Sequence, residues 1–286
     1  MGSDFIKLNE MIVRKPFPMP KISDILMERQ EYSHFTKIDL LMMLYCFKLD
    51  KESQKICVIS TEHGCYAYTR LTMGVKISPD VAQQYMTEML QGIPNTSCYI
   101  DDVGIWTKGT FSENLDVVDA FLERFSKKNM KCNPLKCDWA VQETDFLGFW
   151  IIPEGVKPWS KIIEPILAMS APNTQTYVRA FIGSVNNYRS LWPRRAHILA
   201  PLRKLTGKGK FIWKPIHQKA FDEMKAIIVA DAINAFPDYF IPFHVYTDAS
   251  DLQPGATIIQ RAKPIAYYIK SLPQLNKIIQ QQRRNC

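Results

Sequence analysis

Two short apolar runs enclose a pair of adjacent acids in the segment Cys98–Trp106. The β-branched and aromatic residues on both sides are typical of strands, so this segment predicts a β-hairpin with Asp101 and Asp102 at its tip. Unit charges about 4 Å apart repel by about 4 kcal/mol at an effective dielectric near 20, so two such carboxylates favour a shared cation. Magnesium is the expected cation because it is hard and takes oxygen ligands.

An acidic dipeptide by itself is more typical of a solvated turn than of a metal site. A two-metal site for phosphoryl transfer needs a further carboxylate from a neighbouring strand. The strand-like run Phe35–Leu40 contains Asp39 near its end and offers that carboxylate. The two acidic segments together therefore favour a metal site over a turn.

Three segments, in this order, resemble motifs of reverse transcriptases from gypsy-type LTR retrotransposons. They are Ile38-Asp39-Leu40, the run 71–83 that reads Leu-Thr-Met-Gly-Val-Lys-Ile-Ser-Pro-Asp-Val-Ala-Gln, and Tyr99-Ile100-Asp101-Asp102. The resemblance covers nearly the whole chain. It implies an α+β fold: a right-hand polymerase with partial fingers, palm and thumb, followed by a truncated ribonuclease H-like α/β segment.

The resemblance also implies an RNA-directed DNA polymerase activity that uses two magnesium ions. Asp39 and Asp101, with Asp102 beside them, would be the catalytic and metal-binding residues. The reaction would join deoxynucleotide triphosphates to a primer 3′-hydroxyl, which attacks the α-phosphate of the nucleotide. The implied partners are an RNA or DNA template with a DNA primer.

Several further residues match positions that bind the nucleotide or the primer in this family. At these positions the residues themselves also allow simpler interpretations: core packing for Leu44 and Met73, a helix-surface amide for Gln83 and a surface cation for Lys136. For Leu44, which stands where the family has an aromatic residue, core packing is the favoured interpretation. The implied nucleotide-binding residues are Leu44, Met73, Gly74, Gln83 and Lys136, and the implied primer grip includes Leu147 and Gly148.

The stretch 165–221 contains no aspartate or glutamate but ten lysines and arginines. Val178, Phe181, Ile182 and Val185 follow the spacing of an amphipathic helix. The segment resembles the thumb of the family, although a solvated basic face would have a similar composition. The implied nucleic-acid-binding residues are Arg179, Arg189, Arg194, Arg195, Arg203 and Lys204.

The composition of the whole chain agrees with an anionic partner. The formal net charge is +8 and the sequence pI is about 9.0, which favours nucleic acid, although charge alone would also suit a membrane surface. No apolar run reaches the 18 or more residues of a membrane span, and no signal peptide is recognisable. We therefore expect no membrane association. The seven cysteines are scattered without metal-binding spacing, so we expect reduced thiols in an intracellular protein and no structural metal.

The predicted domains are partial fingers and palm over 1–155, thumb and connection over 156–210, and a truncated ribonuclease H-like domain over 211–286. The strand at 243–250 resembles the opening of a ribonuclease H-type domain, with Asp248 as its first metal ligand. A strand-end aspartate that caps a turn is an equally good interpretation. The family's next acid lies in a helix that this sequence does not match after Lys270. Because one carboxylate cannot assemble a two-metal site, we expect no hydrolysis of RNA/DNA hybrids.

A second function remains open from the sequence: a decayed retroelement protein that binds nucleic acid but does not polymerise. The finger segment Asp4–Asn9 carries Ile6 where the family has an arginine that grips the nucleotide phosphates. An aliphatic side chain cannot replace a bidentate guanidinium. Finger strands expected before Asp4 are also not found in this sequence.

Overall fold

The computed structural model describes residues 4–28, 32–207, 209–230, 233–249 and 254–269, without the side chains of residues 248, 249, 254 and 269. The chain divides into two compact units, Met1–Leu147 and Gly148–Cys286. None of the helices within these described ranges is both long and apolar enough to cross a membrane.

The first unit is built on a four-stranded antiparallel sheet. In order across the sheet, its strands are β4 (Thr96–Tyr99), β5 (Asp102–Thr107), β1 (His34–Asp39) and β6 (Asp138–Val141). The strand predicted near Asp39 is confirmed as β1. At Gly104, an added Cβ would lie 2.9 Å from the ring of Phe146 and 3.0 Å from that of Phe35, so glycine allows these aromatic rings to pack on the central strand.

Two helices pack against the apolar face of this sheet. They are α4 (Ser78–Met89) and α5 (Phe111–Lys127). α5 begins with a capping box between Thr110 and Glu113, which satisfies two backbone donors at its first turn. The main core cluster is formed by buried side chains from strands and helices, and its fully buried members include Ile38, Met86, Val103, Ile105 and Phe121.

Shorter elements complete the first unit. They are α1 (Ile6–Met11), α2 (Ile22–Met27), α3 (Lys51–Ile56), the hairpin β2 (Val58–Thr61) with β3 (Gly64–Ala67), β7 (Thr144–Phe146), and 3₁₀ turns at Met43–Cys46 and Pro134–Lys136. The extended segment before α2 is tied to α4 by an ion pair. Nε of Arg14 donates to Oδ2 of Asp80 at 2.7 Å, and its Nη2 donates to Oδ1 at 3.0 Å.

The second unit combines a small antiparallel sheet, a group of helices and a three-stranded meander. Its sheet strands are β8 (Phe149–Ile152), β9 (Gly155–Pro158) and β10 (Asn234–Ala235), and its helices are α6 (Ser160–Ala168), α7 (Gln175–Asn186), α8 (Arg195–Ile198), α9 (Ala200–Lys204) and α10 (Pro215–Val229). The meander consists of β11 (His244–Ala249), β12 (Pro254–Gln260) and β13 (Lys263–Ile269). The predicted amphipathic helix is confirmed as α7, with Val178, Phe181 and Val185 fully buried.

Candidate active site

Asp39 and Asp102 face each other across the antiparallel pair β1 and β5. The backbone N–H of Leu40 donates to the carbonyl of Asp101 at 3.2 Å, which fixes the end of β1 against the hairpin. Side chains of facing residues project to the same side of a sheet. The structure thus brings the three predicted acids to one end of the sheet.

The hairpin turn differs by one residue from the expected turn. Tyr99 pairs with Asp102, so the two turn residues are Ile100 and Asp101. The prediction of an Asp101-Asp102 tip is wrong, because Asp102 pairs with both Tyr99 and Asp39 as the first residue of β5. As a result Asp101 is exposed at the tip, while Asp102 is half-buried.

Ile100 adopts a positive φ of 57°, a conformation that is unfavourable for a β-branched residue. Its backbone N–H donates to Oε1 of Gln83 at 2.8 Å, and Nε2 of Gln83 donates to the carbonyl of Cys98 at 3.3 Å. Gln83 is only 2% exposed and reaches the hairpin from α4. The helix-surface interpretation of Gln83 is therefore wrong: its amide holds the strained turn that carries Asp101.

The carboxyl of Asp102 lies in a strongly unfavourable environment for a negative charge. Burial, followed by repulsion from Asp101 and Asp39, raises its pKa to about 6, although the nearby Lys37 acts in the opposite direction. Such an only partly compensated group of carboxylates favours a bound cation.

Lys136 lies beside the acids. Its Nζ is 3.5 Å from Oδ2 of Asp39, and its side chain is 66% exposed. The side chain of Lys136 thus lies near an acidic partner and is also largely open to solvent. It offsets part of the negative charge and is accessible to an anion from solvent.

Lys37 was not singled out from the sequence, although it also belongs to this group. Its Nζ lies 2.8 Å from Oδ2 of Asp138 and 3.3 Å from Oδ1 of Asp145. Burial lowers the pKa of Lys37, but these two carboxylates outweigh it and keep the pKa above its ordinary value. Lys37 lies two residues before Asp39 on one strand, and strand alternation puts both side chains on the same face of the sheet. This spacing was visible in the sequence and could have indicated Lys37.

The donor set fits magnesium in kind, because all three aspartates offer hard carboxylate oxygens. Within the part of the chain that the structure describes, no three acidic, histidine or cysteine side chains form a ready-made metal cluster. Asp39 contacts Lys136 instead. Asp39, Asp101 and Asp102 could therefore hold ions at this end of the sheet after their side chains turn towards one another.

The remaining predicted nucleotide-binding residues lie in different environments. Leu44 is half-buried in a 3₁₀ turn and packs against the main core cluster, in agreement with its favoured interpretation. Met73 is 63% exposed, so its interpretation as a core residue is wrong. Gly74 has a φ of 91°, and its carbonyl accepts a hydrogen bond from the side chain of Asn9 at 2.7 Å.

Leu147 and Gly148, the predicted primer grip, have φ values of 50° and 84°. Two consecutive positive φ values are typical of a tight type I′ turn, in which glycine is strongly favoured. In the second unit, the carbonyl of Gly148 accepts a hydrogen bond from the hydroxyl of Tyr188. Asp248 lies in β11, but its side chain is outside the described residues.

The predicted nucleic-acid-binding residues of the second unit differ in exposure. Those on the open surface are Arg179, Arg189, Arg194 and Lys204, whereas Arg203 is half-buried and Arg195 is buried. Nη2 of Arg179 donates to the carbonyl of Thr206 at 2.7 Å. These residues therefore do not form one exposed basic face, because Arg195 points into the protein.

Two family models match the chain. The first, described as reverse transcriptase (RNA-dependent DNA polymerase), matches residues 2–151. The second, described as an RNase H-like domain found in reverse transcriptase, matches residues 213–286. These matches agree with the order of the segments that carried the resemblance in the sequence.

Curated relatives are polyproteins of transposable elements. The retrovirus-related Pol polyprotein from transposon 297 of Drosophila melanogaster is 31% identical over 273 residues, which are 94% of this chain and 26% of the relative. The transposon Tf2-7 polyprotein of Schizosaccharomyces pombe is 26% identical over 271 residues, which are 94% of this chain and 20% of the relative. The chain thus spans about a quarter or less of these relatives.

Solved structures share the fold. The foamy viral protease-reverse transcriptase in complex with an RNA/DNA hybrid matches with a TM-score of 0.86 at 23% identity, over 99% of this chain and 40% of that chain. The same viral protein in complex with double-stranded DNA also matches with a TM-score of 0.86, at 24% identity, over 99% of this chain and 62% of that chain. The predicted α+β polymerase fold with a ribonuclease H-like segment is confirmed.

Proposed function

This chain belongs to the reverse transcriptase family, and from that premise we propose that its first unit contains the active site of an RNA-directed DNA polymerase. The observation that carries the proposal is the pairing of Asp39 with Asp102, beside a turn that presents Asp101. These acids come from two segments more than sixty residues apart in the sequence. A solvated turn would not require the second segment.

In this proposal, Asp39, Asp101 and Asp102 hold two magnesium ions. Bound there, the ions would supply Lewis acidity towards the attacking 3′-hydroxyl and the leaving pyrophosphate. Gln83 holds the backbone of the turn that carries Asp101, so the position of this turn is fixed before substrate binds. Lys136 supplies an exposed cation beside Asp39 that can turn to the triphosphate of a deoxynucleotide.

The proposed partners are a primer-template duplex and deoxynucleotide triphosphates. Support comes from the acid-free basic stretch of the second unit and from the foamy viral structures, which contain an RNA/DNA hybrid or double-stranded DNA. Arg179, Arg189, Arg194 and Lys204 are exposed and suited to phosphate contacts. We propose the domain limits 1–155, 156–210 and 211–286 for palm with partial fingers, thumb with connection, and ribonuclease H-like segment.

Primer extension on a homopolymer template with magnesium tests the proposal. Extension that disappears in Asp101→Asn supports it. Asp119→Asn is the matched control, because Asp119 is an exposed acid on α5 away from the site. Wild-type protein that binds duplex but extends no primer, under any tested template and divalent ion, would contradict it.

A second candidate function is nucleic-acid binding without polymerisation. Two observations favour it: Ile6 is 65% exposed where the family has an arginine, and Leu44 packs into the core where the family has an aromatic residue beside the nucleotide. A protein with this second function would show duplex binding that weakens steeply with salt, because binding releases counterions from phosphates. Its binding would be unaffected by Asp101→Asn.

A further inference from the structure

Asn9 joins two parts of the first unit that are far apart in the sequence. It lies on α1, and its side-chain amide contacts the loop formed by residues 72–76, which we call the 72–76 loop. Nδ2 of Asn9 donates to the carbonyl of Gly74 at 2.7 Å, and Oδ1 of Asn9 accepts from the backbone N–H of Lys76 at 2.7 Å. One amide thus pairs with an acceptor and a donor on the same loop, which restrains the loop more than a single hydrogen bond would.

The 72–76 loop is also held by its own residues. Thr72 and Val75 are 2% and 5% exposed. Oγ of Ser78, at the start of α4, donates to the carbonyl of Thr72 at 2.8 Å. Between these two buried residues, Gly74 has a φ of 91°, which glycine adopts without strain. The contacts of Asn9 therefore complete the fixation of a loop whose ends are already anchored.

Helix α1 is attached to the first unit before Asn9 is reached. Phe5, which precedes α1, is 6% exposed, and its ring centroid lies 6.0 Å from that of Tyr68. The N–H of Asn9 donates to the carbonyl of Phe5 at 2.8 Å. Asn9 thus holds the 72–76 loop from an element that is itself packed against the protein.

Met73 is the residue that the fixed loop presents to solvent. Its side chain is 63% exposed, although both Thr72 and Val75 are buried. The loop begins beside the 3₁₀ turn that follows β1, because the N–H of Leu71 donates to the carbonyl of Phe47 at 2.9 Å. A rigidly held loop with an exposed apolar side chain is suited to contact a ligand, and a thioether adapts to the shape of its partner.

We infer that Asn9 is a positioning residue for the incoming deoxynucleotide: its amide fixes the 72–76 loop so that Met73 contacts the nucleoside part of the ligand. This role rests on the proposed function, since it concerns the same site. Without the amide, the loop would have to be ordered at each binding event, and that ordering costs affinity. Because the clamp acts on this loop alone, it should affect nucleotide binding and not duplex binding.

Equilibrium binding of a labelled deoxynucleotide tests this role without requiring any chemistry. The full chain is bound to a primer-template whose primer lacks its 3′-hydroxyl, in the presence of magnesium. In Asn9→Ala the Kd for the nucleotide should rise by about three- to tenfold, as expected for the loss of one or two neutral hydrogen bonds, and duplex affinity should not change. Alanine is the best helix former, so this variant should keep α1.

Two further variants on α1 separate the clamp from other effects. Glu10→Ala changes the exposed neighbour of Asn9 and should leave nucleotide affinity at the wild-type value. Asn9→Asp keeps an acceptor for the Lys76 N–H but loses the donor to the Gly74 carbonyl, so its nucleotide affinity should lie between those of wild type and Asn9→Ala. An equal loss of nucleotide and duplex affinity in Asn9→Ala would indicate general destabilisation and overturn the positioning role.

A double-mutant cycle with Met73→Ala tests whether Asn9 acts through Met73. Since Met73 is largely exposed, Met73→Ala should fold normally and should itself weaken nucleotide binding. Adding Asn9→Ala to Met73→Ala should then cause little further loss, because both changes remove the same contact. Fully additive losses, or wild-type nucleotide affinity in Met73→Ala, would overturn the inference even if the Asn9 variants were unstable.

These measurements distinguish the role of Asn9 from the proposed polymerase. Nucleotide binding that weakens in Asn9→Ala, in a protein whose wild type extends no normal primer, would support the role of Asn9 and contradict only the polymerase. Primer extension by wild type, together with unchanged nucleotide affinity in Asn9→Ala, would overturn only the role of Asn9. A wild-type complex that binds no deoxynucleotide would contradict both.

Discussion

Asp39 and Asp102 occupy facing positions in an antiparallel strand pair, where like charges destabilise a sheet. Asp101 lies next to this pair and adds to the repulsion on Asp102. Lys37 and Lys136 offset only part of the charge, since Lys37 also pairs with Asp138 and Asp145. This arrangement of charges lowers the stability of the protein, and such a loss of stability is common at functional sites.

Asp102→Asn should therefore stabilise the protein when no divalent ion is present. The pKa of Asp102 is raised from 3.8 to about 6, so removal of its charge is expected to raise the free energy of unfolding by about 1–3 kcal/mol near neutral pH. Urea denaturation with a chelator measures this gain. Primer extension with magnesium should be lost in the same variant.

The stabilisation by Asp102→Asn should depend on pH in a way that follows from the upward shift of the Asp102 pKa. A carboxyl whose pKa is raised by folding contributes stability below its unfolded pKa and loses it as pH rises towards the folded value. The advantage of Asp102→Asn should thus grow between about pH 4 and pH 6 and stay constant above about pH 7. An equal gain at acidic and neutral pH would contradict the charge explanation.

Gln83→Ala should loosen the turn that carries Asp101. It removes the acceptor of the Ile100 N–H and leaves buried backbone groups unsatisfied, so the free energy of unfolding should fall by about 1–3 kcal/mol. The rate of nucleotide addition should fall by a larger factor than duplex affinity, because duplex binding does not depend on this turn. Gln84→Ala is the control: Gln84 is exposed on the same helix, and its side chain donates a hydrogen bond to the exposed Glu88. Similar effects of the two variants would exclude a positioning role for Gln83.

Local patterns predicted much of the first unit. Strand β1, the acidic hairpin and α5 each follow from periodicity within a few neighbouring residues. The turn register was not predictable in the same way, because the pairing of Asp102 with Asp39 depends on a strand far away in the sequence. Single-residue register is fixed by such tertiary pairing.

Buried polar residues were the second respect in which the structure differs from what the sequence predicts. Glutamine and arginine are mostly exposed in proteins, so sequence alone favours surface positions for Gln83 and Arg195. Both are buried because another element supplies a partner: the hairpin backbone for Gln83 and Asn186 for Arg195. By contrast, the position of Lys37 follows from strand alternation with Asp39 and could have been predicted.

The Arg14–Asp80 ion pair should make the first unit sensitive to acid. The side-chain hydrogen bond from Arg14 outweighs the effect of burial and lowers the pKa of Asp80. A carboxylate with a lowered pKa contributes stability above its unfolded pKa and loses it as pH falls through the folded value. Asp80→Asn should lower the unfolding midpoint at neutral pH, and the difference from wild type should shrink below about pH 3.8. Asp116→Asn, at an exposed position on α5, should show no such trend.

Hybrid cleavage should be absent from this chain. The sequence from 252 to 286 contains no aspartate or glutamate, so we expect that these residues alone do not assemble a two-metal hydrolytic site around Asp248. Incubation of the protein with an RNA/DNA hybrid labelled in its RNA strand, in magnesium or manganese, should release no fragments. Cleavage that disappears in Asp248→Asn would show that the prediction is wrong.

Ile6→Arg should raise nucleotide incorporation if the chain is a polymerase with a weakened fingers segment. Ile6 is 65% exposed on α1, so an arginine can be accommodated without disturbing the core. A guanidinium there could bind triphosphate oxygens in a bidentate manner, which an aliphatic side chain cannot do. Steady-state incorporation should show a lower KM for the nucleotide, by about tenfold for one charge-assisted contact. Ile6→Gln adds length and polarity without charge and should leave KM near the wild-type value. If wild type is active and Ile6→Arg leaves incorporation unchanged, Ile6 does not occupy the phosphate-binding position of the family.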